Sequence, residues 1–390
     1  MDTLMSPAAS LLDEAALRQI LAELGSSARA FRFEVAPNPC VGAAVLGLGG
    51  VVARGYHRVY GGAHAEVEAL EAAAKTDVPT SEWDTLVITL EPCSSTGKTP
   101  PCTDAILRSG IRRVVVGALD PDPRHRGRGL QLLRDAGLEV EHLEGATPLT
   151  EVAPYFLDWL APERISRPRP WIIAKWAQTR SGQLSPPENH PGGRWISGQA
   201  ARDEVQLLRS HVDAIVTGIG TVLADDPRLS VRAPGGTSRP PIRVVLDSDL
   251  RTPPDARLFQ PAREGETAGD LHILCRAGAS AVRHRALEEA GAQVWGLHAT
   301  DMEHLRLFDV ADWLCQRGVH RVLLECGPQL LEQCFEAGGV DQVRVITGSV
   351  NGGRGESMAN RVSRLRFSER LDRECGEDSV LEAMVARARG

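Results

Sequence analysis

No stretch of this chain approaches the ~20 consecutive apolar residues that a bilayer-spanning helix needs, so the sequence predicts no membrane segment. The opening residues Met1-Asp2-Thr3-Leu4-Met5-Ser6 lack a basic start and an uninterrupted apolar run, which argues against a secretory signal and for a cytoplasmic protein. Basic residues are not in excess: 44 Lys and Arg against 51 Asp and Glu leave a net charge of -7. A broad nucleic-acid footprint needs a basic face, so no nucleic-acid partner is expected. No internal repeat is visible. Nor do eight cysteines, in a long chain without a signal, make a disulfide framework; they read as metal ligands plus buried thiols. Cys275, Cys315, Cys334 and Cys375 sit in apolar or helical surroundings and are expected to be structural.

What is present is enough for two globular domains, since 390 residues exceed the roughly 100 to 200 typical of one. Leu17, Ile20, Leu21 and Leu24 recur at helical spacing, predicting a first helix that stops near Gly25. Val41 to Leu46 and Val51 to Tyr56 flank a glycine-rich turn and read as a hairpin. A helix then carries His64 and Glu66 through Ala74, and Leu86 to Leu90 makes a strand. A short helix to Arg108, a strand at Val114 to Val116, a helix at Leu130 to Ala136 and a strand at Leu138 to His142 complete an α/β alternation. Five prolines between Gly145 and Pro170 mark a boundary, with a short helix around Tyr155 to Leu160. The expected division is a first domain over 1–146, a linker over 147–169 and a second domain over 170–390. Strands of the second are predicted at Trp171 to Lys175, Ala214 to Thr217, Ile242 to Leu246, Leu271 to Cys275, Ala292 to Trp295, Arg321 to Leu324 and Gln342 to Ile346. Helices are predicted around Gln199 to Arg209, Ala281 to Ala290, Glu303 to Arg317 and Gln329 to Phe335.

The densest chemistry lies between His64 and Cys102. His64-Ala65-Glu66 is followed by Glu91-Pro92-Cys93, and eight residues separate Cys93 from Cys102. One imidazole and two thiols supply three ligands for a catalytic zinc with an open position for water, and Glu66 supplies a carboxylate to move protons. Residues i and i+2 point about 200° apart around a helix, so His64 and Glu66 can serve one ion only at the helix start. A closed structural zinc site, or unrelated buried cysteines, is the competing reading; three good ligands and a non-ligand Glu count against it.

H-x-E with a later Pro-Cys and a second Cys is the signature of zinc deaminases. The stretched Cys93-to-Cys102 spacing, with Gly97-Lys98-Thr99-Pro100-Pro101 before the second Cys, resembles the deaminase half of the bifunctional riboflavin-biosynthesis deaminase/reductase family. That resemblance implies a cytidine-deaminase-like αβα domain, with His64, Cys93 and Cys102 on the metal and Glu66 as the catalytic acid/base. It also places Asn38, His57 and Lys98 at the substrate, Asn38 reading the pyrimidine. Taken alone, Asn38 serves equally as a turn residue, and His57 or Lys98 as a solvated side chain. Two positions depart from the family, which usually has His where Ser95 stands and His or Asn where Glu68 stands. The run Arg124-His125-Arg126-Gly127-Arg128 reads as a solvated loop more readily than as a phosphate contact.

The second half resembles the reductase of the same family in Arg194-Trp195-Ile196-Ser197, in Arg209 and in the block from Thr217 to Arg232. This implies a dihydrofolate-reductase-like fold that uses NADPH to open a ribose into a ribityl chain. Lys175 and Asp225 then fall at the reacting sugar; Arg209, Leu229, Arg232 and Glu325 fall at the substrate, the two arginines on its phosphate. Gln178, Trp195, Thr221, Asp225, Ser248, Gly327, Pro328, Gln329 and Leu330 fall at the cofactor. Taken alone, Lys175 reads more readily as a strand-end lysine, and Asp225 as a turn or cap residue before Pro227. Departures are Thr179-Arg180-Ser181-Gly182 for the family's Ser-Leu-Asp-Gly, Gln329 for a threonine, and Cys326 for a glycine, whose side chain is expected to crowd the cofactor.

The sequence therefore predicts an α/β enzyme with one zinc per chain and NADPH, acting on a phosphoribosylaminopyrimidine by hydrolytic deamination and then by reduction of its ribosyl chain. A homo-oligomer is expected, with no nucleic-acid or membrane partner. The competing readings are a deaminase whose second domain is only an oligomerisation platform, a deaminase of another nucleotide, and a non-enzymatic binding protein.

Overall fold

The computed structural model describes residues 12–386, apart from 167, 194, 233–238, 298–304 and 356, and divides into two compact units, Met1–Ser166 and Arg167–Gly390. Arg194, and Glu303 at the start of a predicted helix, lie outside the described residues. Among the described residues, no helix is long and apolar enough to cross a membrane.

The first unit is built on β1 (Gly42–Gly47), β2 (Gly50–Tyr56), β3 (Trp83–Ile88), β4 (Arg113–Val116) and β5 (Glu139–His142), in the order β2-β1-β3-β4-β5. The hairpin β1–β2 and the pair β1–β3 are antiparallel; β3, β4 and β5 run parallel. Both faces are covered, which is why the strand cores read as unbroken apolar runs. Ala43, Val45, Leu86, Ile88, Val114 and Val116 pack against Ala65, Ala69, Ile106, Leu130 and Leu133 of three helices. Their neighbours Ala44, Leu46, Val87 and Val115 pack on the opposite face against Leu17, Ile20, Leu21 and Leu24. Asp13 caps that last helix, its carboxylate accepting from Ala16 N at 2.8 Å.

Two expectations change here. Gly25 does not stop the first helix, which runs Glu14–Ala28; the glycine instead makes room, since a Cβ there would meet Val152 Cγ2 at 3.3 Å. The proline-rich segment expected as a linker forms three short helices, Leu149–Val152, Pro154–Trp159 and Pro162–Ser166. Pro154 sits in the first turn of its helix, where a missing N–H costs nothing, and the buried Tyr155 donates its hydroxyl to Asn38 O at 2.8 Å.

The second unit carries β6 (Trp171–Gln178), β7 (Ala214–Gly218), β8 (Ile242–Leu246), β9 (Leu271–Arg276), β10 (Gln293–Leu297), β11 (Arg321–Leu324), β12 (Gln342–Thr347), β13 (Phe367–Cys375) and β14 (Asp378–Val385). Their order is β10-β9-β8-β7-β11-β6-β12-β14-β13, parallel from β10 to β12 and antiparallel over the last three. The parallel strands are those the apolar runs predict. Not foreseen are β13 and β14 and the helix Ile219–Asp225, and the helix predicted over 303–317 spans Leu307–Cys315. In β13, charged residues occupy both faces, so the apolar signal of a strand is missing.

Candidate active sites

In the first unit, a strand end and two helix starts converge. His64 is the N-cap of helix Ala65–Ala73, its backbone extended at φ -78° and ψ 162°, so its ring hangs off the helix end while Glu66 lies buried in the first turn. That helix lies tight on β2: a Cβ at Gly55 would meet Ala69 N at 2.2 Å. Past β3 the chain reaches Cys93, and Cys102 opens helix Cys102–Ser109 behind Pro101. His64 Nδ1 is 3.6 Å from Cys93 Sγ and 3.2 Å from Cys102 Sγ, and the three donor atoms all lie within 4.8 Å of one another. A tetrahedron with metal–sulfur bonds of ~2.3 Å and a metal–nitrogen bond of ~2.0 Å has edges of about 3.5 to 3.8 Å, so the donor set fits zinc with one position left.

The electrostatics suit such an ion. Hydrogen bonding from the Cys102 thiol, with help from His64 and the Cys102 backbone amide, pushes the Cys93 thiol down to about 4; the same pairing, with burial, pushes Cys102 up. One sulfur is thus held as a thiolate, and the second releases its proton when a cation replaces it. Burial raises the Glu66 carboxyl above its ordinary range, against the pull of His64. A carboxyl that holds its proton more firmly than usual suits a group that must take one up and pass it on.

Asn38 and His57 sit beside these donors, the rings of His57 and His64 meeting edge to face at 5.1 Å. His57 is buried, with Nδ1 2.9 Å from Ala63 O, which places the proton on Nδ1. Its Nε2 is then the acceptor for Asn38 Nδ2 at 3.2 Å. Lys98 is exposed on the Cys93 loop with Nζ 4.5 Å from the centre of the Tyr60 ring, and Ser95 is exposed on the same loop. Glu68 accepts from Arg58 Nε at 2.9 Å. Arg124 is bound to Asp122 at 2.6 Å, and Arg126 and Arg128 are exposed, Arg128 as the first residue of helix Arg128–Asp135.

One important residue escapes a reading of the motif. Buried Glu91 accepts hydrogen bonds from Asp120 N (3.1 Å), Gly127 N (2.8 Å) and Gly129 N (2.9 Å), tying the loop 120–129 to the segment that delivers Cys93. Its partners lie 29 to 38 residues away, so spacing gave no signal. A Cβ at Gly129 would meet Pro92 O at 2.1 Å. Gly129→Ala is therefore expected to displace Cys93 and cost roughly 10- to 100-fold in zinc affinity or ammonia release, read by metal analysis, with NADPH oxidation by the second unit unchanged.

In the second unit, Arg209 in the last turn of helix Gln199–Ser210 meets Glu325, just past β11, in a two-pronged pair: Nε to Oε1 at 2.9 Å and Nη2 to Oε2 at 2.6 Å. Arg209 Nη1 also donates to Ser230 O at 2.9 Å, so its guanidinium is committed to the protein. Burial alone would raise the Glu325 carboxyl, but the Arg209 charge, the hydrogen bonds to it and Lys175 hold it at about 2. Lys175 on β6 lies opposite Arg344 of β12; burial lowers its ammonium, Glu325 opposes this, and Arg209 and Arg344 add to it.

Around this cluster, Thr221 Oγ1 accepts from Gly327 N at 3.1 Å, and Gly327 caps helix Pro328–Glu336. An added Cβ would find nothing within 4 Å at Gly220 and only Thr221 Oγ1, at 3.9 Å, at Gly327, which leaves the backbone open to a nucleotide. At Gly218 the same atom would meet Leu330 Cδ2 at 3.1 Å. Gln329 is exposed beside the half-buried Pro328, and Ser248 is half-buried just after β8. Asp225 ends its helix exposed, Leu229 is buried with φ 52°, and Arg232 is exposed with its backbone N–H donating to Gln206 Oε1 at 2.9 Å. Exposed Trp195 carries Arg202 over its ring at 5.0 Å. Gln178 is buried, its amide spent on Trp176 and Thr347. The expectation for Cys326 is corrected: its side chain is buried in the core cluster with Cys334 and Trp176, not turned toward a ligand. Ser181, at the family's acidic position, accepts from Gly352 N at 2.8 Å.

Such a donor triad beside a buried carboxylate on an αβα sandwich defines a zinc-dependent deaminase, here followed by a reductase-type sheet with an open glycine turn. Residues 18–118 match the family model for the cytidine and deoxycytidylate deaminase zinc-binding region, and residues 170–377 match that for the RibD C-terminal domain. The chain is 34% identical over 350 residues to riboflavin biosynthesis protein RibD of Aquifex aeolicus (strain VF5), covering 88% of this chain and 92% of that protein. The solved structure of Acinetobacter baumannii RibD, form 1, superposes with a TM-score of 0.65 at 27% identity, over 96% of this chain and 100% of that one. A diaminohydroxyphosphoribosylaminopyrimidine deaminase/5-amino-6-(5-phosphoribosylamino)uracil reductase of Thermotoga maritima gives 0.62 at 27% identity, over 95% and 99%. The chain belongs to the RibD family. It is a bifunctional deaminase/reductase of riboflavin biosynthesis, with zinc serving the first activity and NADPH the second.

Proposed function

We propose that the first unit deaminates 2,5-diamino-6-(5-phosphoribosylamino)pyrimidin-4(3H)-one and that the second reduces the ribosyl chain of the product to ribityl. The observation that carries this is the His64, Cys93, Cys102 triad with Glu66 beside it; the substrate follows the Thermotoga maritima relative. His64, Cys93 and Cys102 would hold a zinc ion, which would supply a water acidified toward ~7 beside Glu66. Glu66 takes the proton of that water as a C–O bond forms at the amino-bearing ring carbon, then passes it to the amine as the C–N bond breaks and ammonia leaves. Asn38, fixed by His57, orients the pyrimidine, and Lys98 reaches the phosphate from its loop.

In the second unit NADPH supplies the hydride. Lys175, with Asp225, stands at the reacting sugar. Exposed Arg232 takes the substrate phosphate, and Arg209 and Glu325 act as a fixed pair that sets the charge around Lys175. Leu229 lines the substrate site; Gln178, Trp195, Thr221, Ser248 and the turn from Gly327 to Leu330 serve the cofactor. The enzyme works in the cytoplasm as a homo-oligomer. Ammonia release and NADPH oxidation, measured separately on the amino substrate and on its deaminated product, test both halves. If the deaminated product is not reduced, Ser181 in place of an acid marks a second unit that serves only as a platform.

A further inference from the structure

Asn38 is held twice, by two distant parts of the chain. Its side-chain Nδ2 donates to His57 Nε2 at 3.2 Å, and His57 is itself fixed on Ala63 O and set edge-on to the ring of His64. Its backbone oxygen accepts from the Tyr155 hydroxyl at 2.8 Å. The same hydroxyl lies 3.4 Å from the Sγ of buried Cys40, two residues further along the loop. A phenol that gives its one proton to Asn38 can still accept from the Cys40 thiol, so both contacts form together and grip the loop on either side of Pro39. Tyr155 is 4% exposed, too buried to touch a substrate, and lies 117 residues from Asn38 on helix Pro154–Trp159.

The segment that delivers Tyr155 is itself fastened to the first unit. Thr147 Oγ1 donates to Thr89 O at 2.5 Å, and Thr89 Oγ1 accepts from Gly42 N at 3.0 Å, where the Asn38 loop runs into β1. Val152 lies against Gly25 of the first helix, and Arg29 donates to Glu151 O. The loop is therefore tied at Asn38, Cys40 and Gly42, directly by Tyr155 or through Thr89. A group that reads a ring by hydrogen bonds must be held to within about 0.5 Å, which requires its support to be as fixed as this.

We infer that Tyr155 is a positioning residue of the deaminase site: through the Asn38 backbone oxygen it holds the Asn38 amide where the pyrimidine is read, which makes the proline-rich segment beyond β5 a working part of the first activity. This rests on the reading of Asn38 given above and adds what holds it. The test is steady-state ammonia release by the full chain, carrying zinc, on the diaminopyrimidinone substrate, for wild type, Tyr155→Phe, Asn38→Ala and the double variant. Phenylalanine keeps the ring in its buried seat, so the fold survives the loss of one hydrogen bond. Tyr155→Phe is expected to raise KM about 5- to 10-fold, the effect of one hydrogen bond, with kcat within about twofold and zinc content unchanged. On top of Asn38→Ala it is expected to leave KM where that substitution put it, because no amide remains to be positioned. Urea unfolding gives a second readout: the bond ends on the backbone, so Tyr155→Phe should lower the unfolding midpoint equally with and without Asn38→Ala. If Asn38→Ala itself leaves KM unchanged, the reading of Asn38 falls and this inference with it. If Asn38→Ala raises KM but Tyr155→Phe does not, or raises it by the same factor in both backgrounds, or acts by losing zinc, the positioning role alone is overturned.

Discussion

Glu66→Gln is expected to cut ammonia release by roughly 100- to 10,000-fold, the range spanned by a positioned acid/base, while leaving zinc in place. The two consequences separate because Glu66 is not one of the three donors: His64 Nδ1 and the sulfurs of Cys93 and Cys102 make the cluster without it. Glutamine keeps the size and much of the polarity of the side chain in its buried setting but cannot carry a proton. NADPH oxidation of the deaminated product should be unaffected, since Lys175, Arg209 and Glu325 belong to the other unit. Loss of zinc from this variant would mean that Glu66 supports the metal rather than the chemistry. Metal analysis alongside an ammonia assay distinguishes the two.

Glu325→Gln is expected to destabilise the second unit by about 3 to 5 kcal/mol, because it leaves the Arg209 charge buried without its partner. Both side chains of the pair are only 14% exposed, so water cannot take Glu325's place cheaply. The pH dependence carries a sign. The Glu325 carboxyl is held at about 2 in the folded chain against an ordinary 4.5. Its contribution is therefore present above the ordinary value and is lost as pH falls toward 2. Wild-type stability in urea should decline over that acid window, and the variant should start lower and decline less there. NADPH oxidation should fall with the variant, since Glu325 also opposes the lowering of the Lys175 ammonium. Equal stability of the two proteins at neutral pH would contradict the account of this pair.

What was legible in the sequence follows from how locally each feature is encoded. The zinc triad could be read because its residues are chemically distinctive and lie in two short segments, and because His64 and Glu66 sit together only at a helix start, where the structure puts them. The parallel strands could be read because burial on two faces leaves no polar alternation. Glu91 could not, since its three amide partners come from a separate loop that only the fold brings near. Arg209 and Glu325 each match a substrate position of the family, but 116 residues separate them and nothing in the sequence says that they bind each other. Cys326 stands where the family has a glycine, which in the sequence points to crowding of the cofactor, whereas its side chain is drawn into the apolar core. In β13, charges on both faces hid a strand whose pairing partner lies downstream.

The central claim is one ion held by one imidazole and two sulfurs with a position left for water. X-ray absorption at the zinc edge of the purified chain tests it directly. The account predicts one zinc per chain with two sulfur scatterers at ~2.3 Å and two lighter scatterers at ~2.0 Å, and loss of the sulfur shell's integrity in Cys102→Ser. A shell of three or four sulfurs, or zinc that stays bound unchanged in Cys102→Ser, would contradict it.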